Sequence, residues 1–119
     1  MKTILKMLED PASDNTDIDY LIWCFIEGTE PVSPPGDYGF IGEKYTTSLD
    51  AAMSIGAEEL EGWYWYASHN VGIYSVVMHK GITKGKYDVE FLGEVHSNMP
   101  RAICHARIQA LEYVRKEKP

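Results

Sequence analysis

The segment from Pro100 to Val114 constrains this chain most, because its apolar residues recur at helical spacing over four turns. Ile103, Ala106, Ala110 and Val114 share one face, and Cys104, Ile108 and Leu111 widen it. Pro100 stands in the first turn, just after Asn98, where its missing N–H costs nothing. Arg115, Lys116 and Lys118 fall at the negative end of the helix dipole. The pattern predicts a closing amphipathic helix that must lie on an apolar surface. Arg107 breaks it by falling in the middle of the buried face. An unpaired buried guanidinium is prohibitive, so Arg107 is expected to snorkel to water, pair with a carboxylate across an interface, or hold an anionic ligand.

The surface for that helix is legible upstream. Tyr87, Val89 and Phe91 alternate with Asp88 and Glu90, the signature of a half-buried antiparallel strand. Ile73 to His79 reads as a second strand, joined to it by the basic, Gly-punctuated stretch from Lys80 to Lys86. Trp63 to Ser68 reads as a third, and Asn70-Val71-Gly72 turns the chain. Two helices precede the strands. Ile18, Leu21, Ile22 and Phe25 mark a buried face behind a capping box of Thr16 and Asp19, and Gly28 supplies the left-handed stop. Ser48 caps a second helix, whose face runs through Leu49, Ala52, Met53, Gly56 and Leu60. Between them, Thr29 to Thr47 holds no periodic pattern and several prolines, so this long loop is the first place to seek a binding surface.

The expected fold class is therefore α+β: a layered α/β sandwich with a three-stranded antiparallel meander packed against helices, in the order α, long loop, α, β, β, β, α. With 119 residues, 45% of them hydrophobic, the chain fills one core and not two. Residues 1–15 read as a flexible lead-in because Asp10 to Asn15 is turn-rich, and residues 16–119 as the single domain. Eighteen Asp and Glu against eleven Lys and Arg give a net charge of -7, which repels phosphate backbones and argues against a nucleic-acid polymer as partner. A small nucleotide is not excluded, since one or two Arg in a local pocket suffice for a phosphate. Cys24 and Cys104 belong to no Cys/His metal pattern and read as reduced core residues. No stretch approaches the ~20 apolar residues of a membrane span, and the N-terminus lacks the apolar core of a signal peptide.

Two segments carry a family resemblance. Tyr45-Thr46-Thr47-Ser48-Leu49-Asp50-Ala51-Ala52-Met53 resembles the Tyr-Ser-Thr-Asp-like entry and Ala-rich turn of the phage ABA sandwich domain. Pro100-Arg101-Ala102-Ile103-Cys104-His105-Ala106 is similar to that family's Pro-Leu-Ala-Ile-Cys-Arg-Ala signature, with Gln109-Ala110-Leu111-Glu112 fitting after it. The resemblance spans residues 16–114. Met53 stands where the family commonly has a large aromatic, and Arg107 where it has a small residue. It implies a small phage or prophage protein and brings no activity with it; with neither a span nor a signal peptide expected, the bacterial host cytoplasm is the expected compartment.

Motifs for chemistry are missing: there is no Gly-rich phosphate loop, no nucleophile elbow and no His-Glu-x-x-His. His69, His79, His96 and His105 show no spacing that would bring two together as metal ligands. Neither catalytic residues, a metal nor a cofactor are expected, and the protein is read as a non-enzyme. The aromatic run is more informative. Because strand residues alternate, Trp63 and Trp65 oppose Tyr64 and Tyr66, so both faces of that strand are aromatic. Either both faces are covered, by helices or by a partner chain in a homo-oligomer, or one is a stacking platform for a planar ligand. The sequence reading is an accessory binding protein whose pocket, lined by Tyr38, Tyr45, Tyr64, Tyr66 and Arg107 and partly built by the Pro31–Tyr45 loop, sequesters a small anionic or nucleotide-like host molecule. Two alternatives are a module that caps or inhibits a host protein through exposed aromatics, and a small hydrolase using a His and carboxylate pair.

Overall fold

The computed structural model describes residues 2–31, 42–96 and 98–117. Their elements run α1 (Lys2–Glu9), α2 (Asn15–Glu27), α3 (Leu49–Met53), β1 (Tyr64–Asn70), β2 (Ile73–Thr83), β3 (Lys86–His96) and α4 (Met99–Glu117). This is the expected α+β arrangement, with a meander in the order β1-β2-β3 and helices on one side of it.

Tight turns set the sheet register. Val71 and Gly72 both hold positive φ, 49° and 78°, as do Lys84 and Gly85, 54° and 80°. Such two-residue turns match the twist of the flanking strands and fix the pairing. Asn70 lies opposite Ile73, and Thr83 opposite Lys86. The stretch from Lys80 to Lys86 is therefore mostly strand, with only Lys84 and Gly85 turning the chain.

The closing helix is longer than its apolar pattern and is the centre of the molecule. Every residue from Arg101 to Ile108 is buried. The sheet covers one side through Val76, Met78 and Val95, and α1, α2 and the turn after α3 cover the others through Leu8, Ile18, Ile22 and Ile55. Gly93 makes the sheet contact possible. A Cβ there would lie 2.5 Å from the Ala102 carbonyl oxygen and 2.7 Å from the Ala106 nitrogen, both backbone atoms that no rotamer change can move aside.

Three expectations need correction. Residues 1–15 are not a lead-in outside the domain: Lys2–Glu9 is a helix whose Ile4 and Leu8 enter the core. Its hydrophobic pair is too short a signal to stand out, and its anchor lies ninety residues away, in Arg101. The cap of α2 is Asp14, which accepts from the Asp17 N–H at 3.1 Å, and not Thr16; Asp19 turns inward instead. The second sequence helix ends after five residues. Gly56 takes a φ of 63° in the turns that follow, where its missing Cβ makes room for the Leu111 side chain. No helix among the described residues is long and apolar enough to cross a membrane.

Arg101 holds the layers together. Its Nη1 donates to the Asp10 carbonyl at 2.9 Å, its Nη2 to Ser13 at 2.7 Å and to Asn15 Oδ1 at 2.7 Å, and its Nε to Asn15 Oδ1 at 3.0 Å. Arg101→Met keeps the aliphatic stem and removes every one of these donors. It is expected to cost at least about 2 kcal/mol in urea denaturation and to release α1 amides to rapid hydrogen exchange. Gly93→Ala is expected to cost about 1–3 kcal/mol by forcing α4 off the sheet. A variant as stable as wild type would refute the close approach.

Candidate functional site

The helices occupy one face of the sheet, and no described element covers the other. Alternation places Tyr64 and Tyr66 of β1 on the uncovered face, opposite His79 and Val77 of β2. Trp63 goes the other way, with its ring 6.2 Å from both Phe91 and Tyr113 on the helix side. The opposition of tryptophans and tyrosines expected from sequence is present, and only the tryptophan side meets a helix.

On the open face the rings gather around His79. Tyr87 stacks on it with centroids 3.9 Å apart at 21°, Tyr64 lies at 5.9 Å and 25°, and Tyr66 at 5.9 Å and 49°. The tyrosines bury the histidine while staying wet themselves: His79 is 9% exposed, against 67% for Tyr64, 47% for Tyr66 and 36% for Tyr87. His79 Nδ1 has no hydrogen-bond partner, the one buried side-chain nitrogen or oxygen so placed among the described residues. Leaving such a group unpaired costs about 1–3 kcal/mol, so a native fold rarely keeps one without a use. Leu92, 50% exposed, and Ile82, 66% exposed, add apolar surface along β3 and β2.

Of the five residues proposed from sequence, the four that are described do not all meet. Tyr38 lies outside the described residues. Tyr45 is a core residue, 4% exposed, whose carbonyl accepts from Cys104 Sγ at 3.2 Å. Tyr64 and Tyr66 share the open face. Arg107 takes none of its three expected fates, since it is buried and its Nε donates to the Ile55 carbonyl at 2.8 Å within the same chain. Burial draws its pKa down somewhat from the free value. The described clefts, such as the one beside Trp63, Lys80 and Tyr113, do not include Tyr64, Tyr66 or Arg107. Sequence reasoning missed His79 and Tyr87. Register was the available signal for His79, since counting back from the Val71-Gly72 turn sets it opposite Tyr64; Tyr87 pairs with Ile82, and strict alternation would place it with Val89 and Phe91, so its stacking on His79 had no sequence signal.

A His and carboxylate pair does exist, at His105 and Glu9, with 2.8 Å between Nε2 and Oε2. Gln109 Nε2 approaches His105 Nδ1 at 2.9 Å, and an amide N–H can only donate, which assigns the proton to Nε2 facing Glu9. Both ring nitrogens are thus engaged, and the pair ties α1 to α4. The neighbouring Cys104 is no nucleophile, because burial pushes its thiol pKa far up. Cys24 and Cys104 are both free and buried, as read from the sequence. No group of His, Cys, Asp and Glu able to hold a metal is found among the described residues.

No family model, no curated protein and no solved structure matches this chain.

Asp19 is the buried carboxylate among the described residues, accepting from both the backbone N–H and the hydroxyl of Thr46 at 2.9 Å. Burial raises its pKa above 3.8, and the two Thr46 bonds offset only part of that rise. A raised folded pKa contributes stability that is present below the unfolded value and lost as pH rises through the folded one. Relative to Asp19→Asn, wild type is therefore expected to gain stability as the pH falls from 7 to below 3.8. Paired urea titrations along that range check the sign, and a difference that moves the other way would show the carboxylate to be stabilised as an anion.

Proposed function

We propose that this is a non-enzymatic accessory binding protein, of the kind carried by phages and prophages, whose working surface is the uncovered aromatic face of the sheet. The observation that carries the reading is His79: a buried ring nitrogen without a hydrogen-bond partner, set among three tyrosines that no described element covers. Such a site suits a planar molecule that stacks on a tyrosine and offers an N–H to His79 as the rings part to admit it. Lys84 and Lys86 are exposed at the adjoining turn, Lys86 next to Tyr87 in sequence, and supply positive charge for an anionic group. Nucleotide-like signals of host defence are the candidate class, and their sequestration the function. Arg107 and Tyr45 take no part, since both are enclosed on the helix side.

A second reading, that the face caps a host protein, is favoured by Leu92 and Ile82, whose exposed side chains extend past the area one planar ring would use.

The test is a melting and calorimetry panel of mono-, di- and cyclic nucleotides. A binder is expected to lose about 5- to 150-fold in affinity with Tyr64→Ala or Tyr66→Ala, the weight of one base–aromatic stack. His79→Phe preserves ring packing and is expected to weaken binding by removing the acceptor alone. If no nucleotide raises the melting temperature, and Leu92→Lys abolishes a stoichiometric complex captured from host lysate, the capping reading replaces the sequestration one.

A further inference from the structure

The sheet has two edges, and they are built differently. β3 carries Lys86, Asp88, Glu90 and Glu94, and it touches α4 and α1. Charged residues and covering helices are the usual protection of an edge strand. β1 has neither. Its sequence Tyr-Trp-Tyr-Ala-Ser-His-Asn holds no Lys, Arg, Asp, Glu or Pro, all seven residues are exposed, and among the described elements it contacts β2 alone. An uncharged strand rich in aromatics is a template for pairing.

The register says which backbone groups are on offer. Asn70 and Ile73 close a two-residue turn, so they form a hydrogen-bonded pair with β2. Hydrogen-bonded and non-bonded positions alternate along an antiparallel ladder. Trp65, Ala67 and His69 therefore aim their N–H and C=O groups away from β2, at the open side.

We infer that β1 pairs antiparallel with β1 of a second copy about a two-fold axis at Ala67, giving one six-stranded sheet. In that register Ala67 faces Ala67 of the partner subunit, and Trp65 faces His69 of the partner subunit. All the outward-aimed groups then meet outward-aimed groups. Parity is kept: helix-side residues pair with helix-side residues, and the open aromatic faces of the two copies become continuous. Ala67 suits the axis because its small side chain lets two identical residues stand opposite each other. Two copies of a chain with net charge -7 repel, and an interface centred on a strand with no formal charge brings them together where that repulsion has no local source. Tyr66 then neighbours Ser68 of the partner subunit, and Tyr64 neighbours Asn70 of the partner subunit. The second copy thus adds polar groups beside the aromatic cluster, whatever that cluster binds.

Light scattering over a micromolar dilution series is expected to give twice the 13.5 kDa of one chain. Ala67→Pro removes an N–H that points away from β2, so the internal ladder survives. Together with Ala67→Lys, which puts a repelling charge on the axis, it is expected to yield a folded monomer by circular dichroism. Should Ala67→Pro fail to fold, Ala67→Lys alone decides. In a hydrogen-bonded antiparallel pair the Cα atoms stand about 5.5 Å apart, within disulfide reach. Ala67→Cys treated with diamide is expected to form a covalent dimer that a thiol reductant reverses, whereas Thr47→Cys is not. A wild type that stays monomeric, a folded Ala67→Lys that stays dimeric, or no cross-link at Ala67→Cys overturns the inference. Each readout is independent of nucleotide binding, so the interface and the ligand can fail separately.

Discussion

All three arginines of the chain lie on α4, and each caps carbonyls of a different neighbour. Arg101 gathers the C-terminal end of α1 and the link to α2. Arg107 takes the Ile55 carbonyl just beyond α3. Arg115 donates to the Phe25 and Ile26 carbonyls at 2.7 and 2.8 Å, at the end of α2, and pairs with Glu59 at 3.0 Å. The last carbonyls of a helix have no partner within it and carry the negative end of its dipole, so a guanidinium fork answers both needs at once. Taking such a cation out of water costs several kcal/mol, and bonds to several carbonyls are what make the burial of Arg101 tolerable. The short helices have little packing area of their own and depend on these bonds for their place. The seven lysines among the described residues, Lys116 of α4 included, are all exposed, because an ammonium cannot span two carbonyls in a fixed plane.

That device shapes the whole molecule. With α1, α2 and α3 gathered on α4, the helices are all spent on one side of the sheet. Gly93 lets α4 close onto β2 and β3, which buries Val76, Met78 and Val95. β1 lies beyond the reach of that helix, and the opposite face receives no cover from any described element. The asymmetry seen in the exposure of Tyr64 and Tyr66 is thus a consequence of where the arginines sit.

The strands and α4 were legible because their signals are local. Tyr87, Val89 and Phe91 alternate, the glycines of both turns stand at fixed offsets, and Pro100 marks a first turn. What escaped was set by partners distant in sequence. α1 reads as a lead-in because its order depends on Arg101. Asp19 looks like part of a cap until Thr46, twenty-seven residues on, turns out to hold it. Arg107 was recognised as an anomaly from helical spacing, yet no spacing rule shows that a backbone carbonyl at Ile55 is waiting for it. At the candidate site, Tyr64 and Tyr66 were legible as a strand with two aromatic faces. His79 was not, since a lone histidine at a strand end says nothing until the register sets Tyr64 opposite it.

β1 is the least self-sufficient part of the fold. A strand normally draws its order from two sources, a paired neighbour on each side and a packed face. β1 has one neighbour and no buried residue, so cross-strand pairs with β2, each contributing about 0.2–1 kcal/mol, are what hold it. Its rings recover only part of their ordering cost by leaving water, because Tyr64 keeps 67% and Tyr66 47% of its surface exposed. A sequence under no outside constraint would place polar β-formers such as threonine at these positions and a lysine on the edge. Two tyrosines and a tryptophan there make sense if the strand is finished from outside. The open face and the open edge are the two directions from which that can happen.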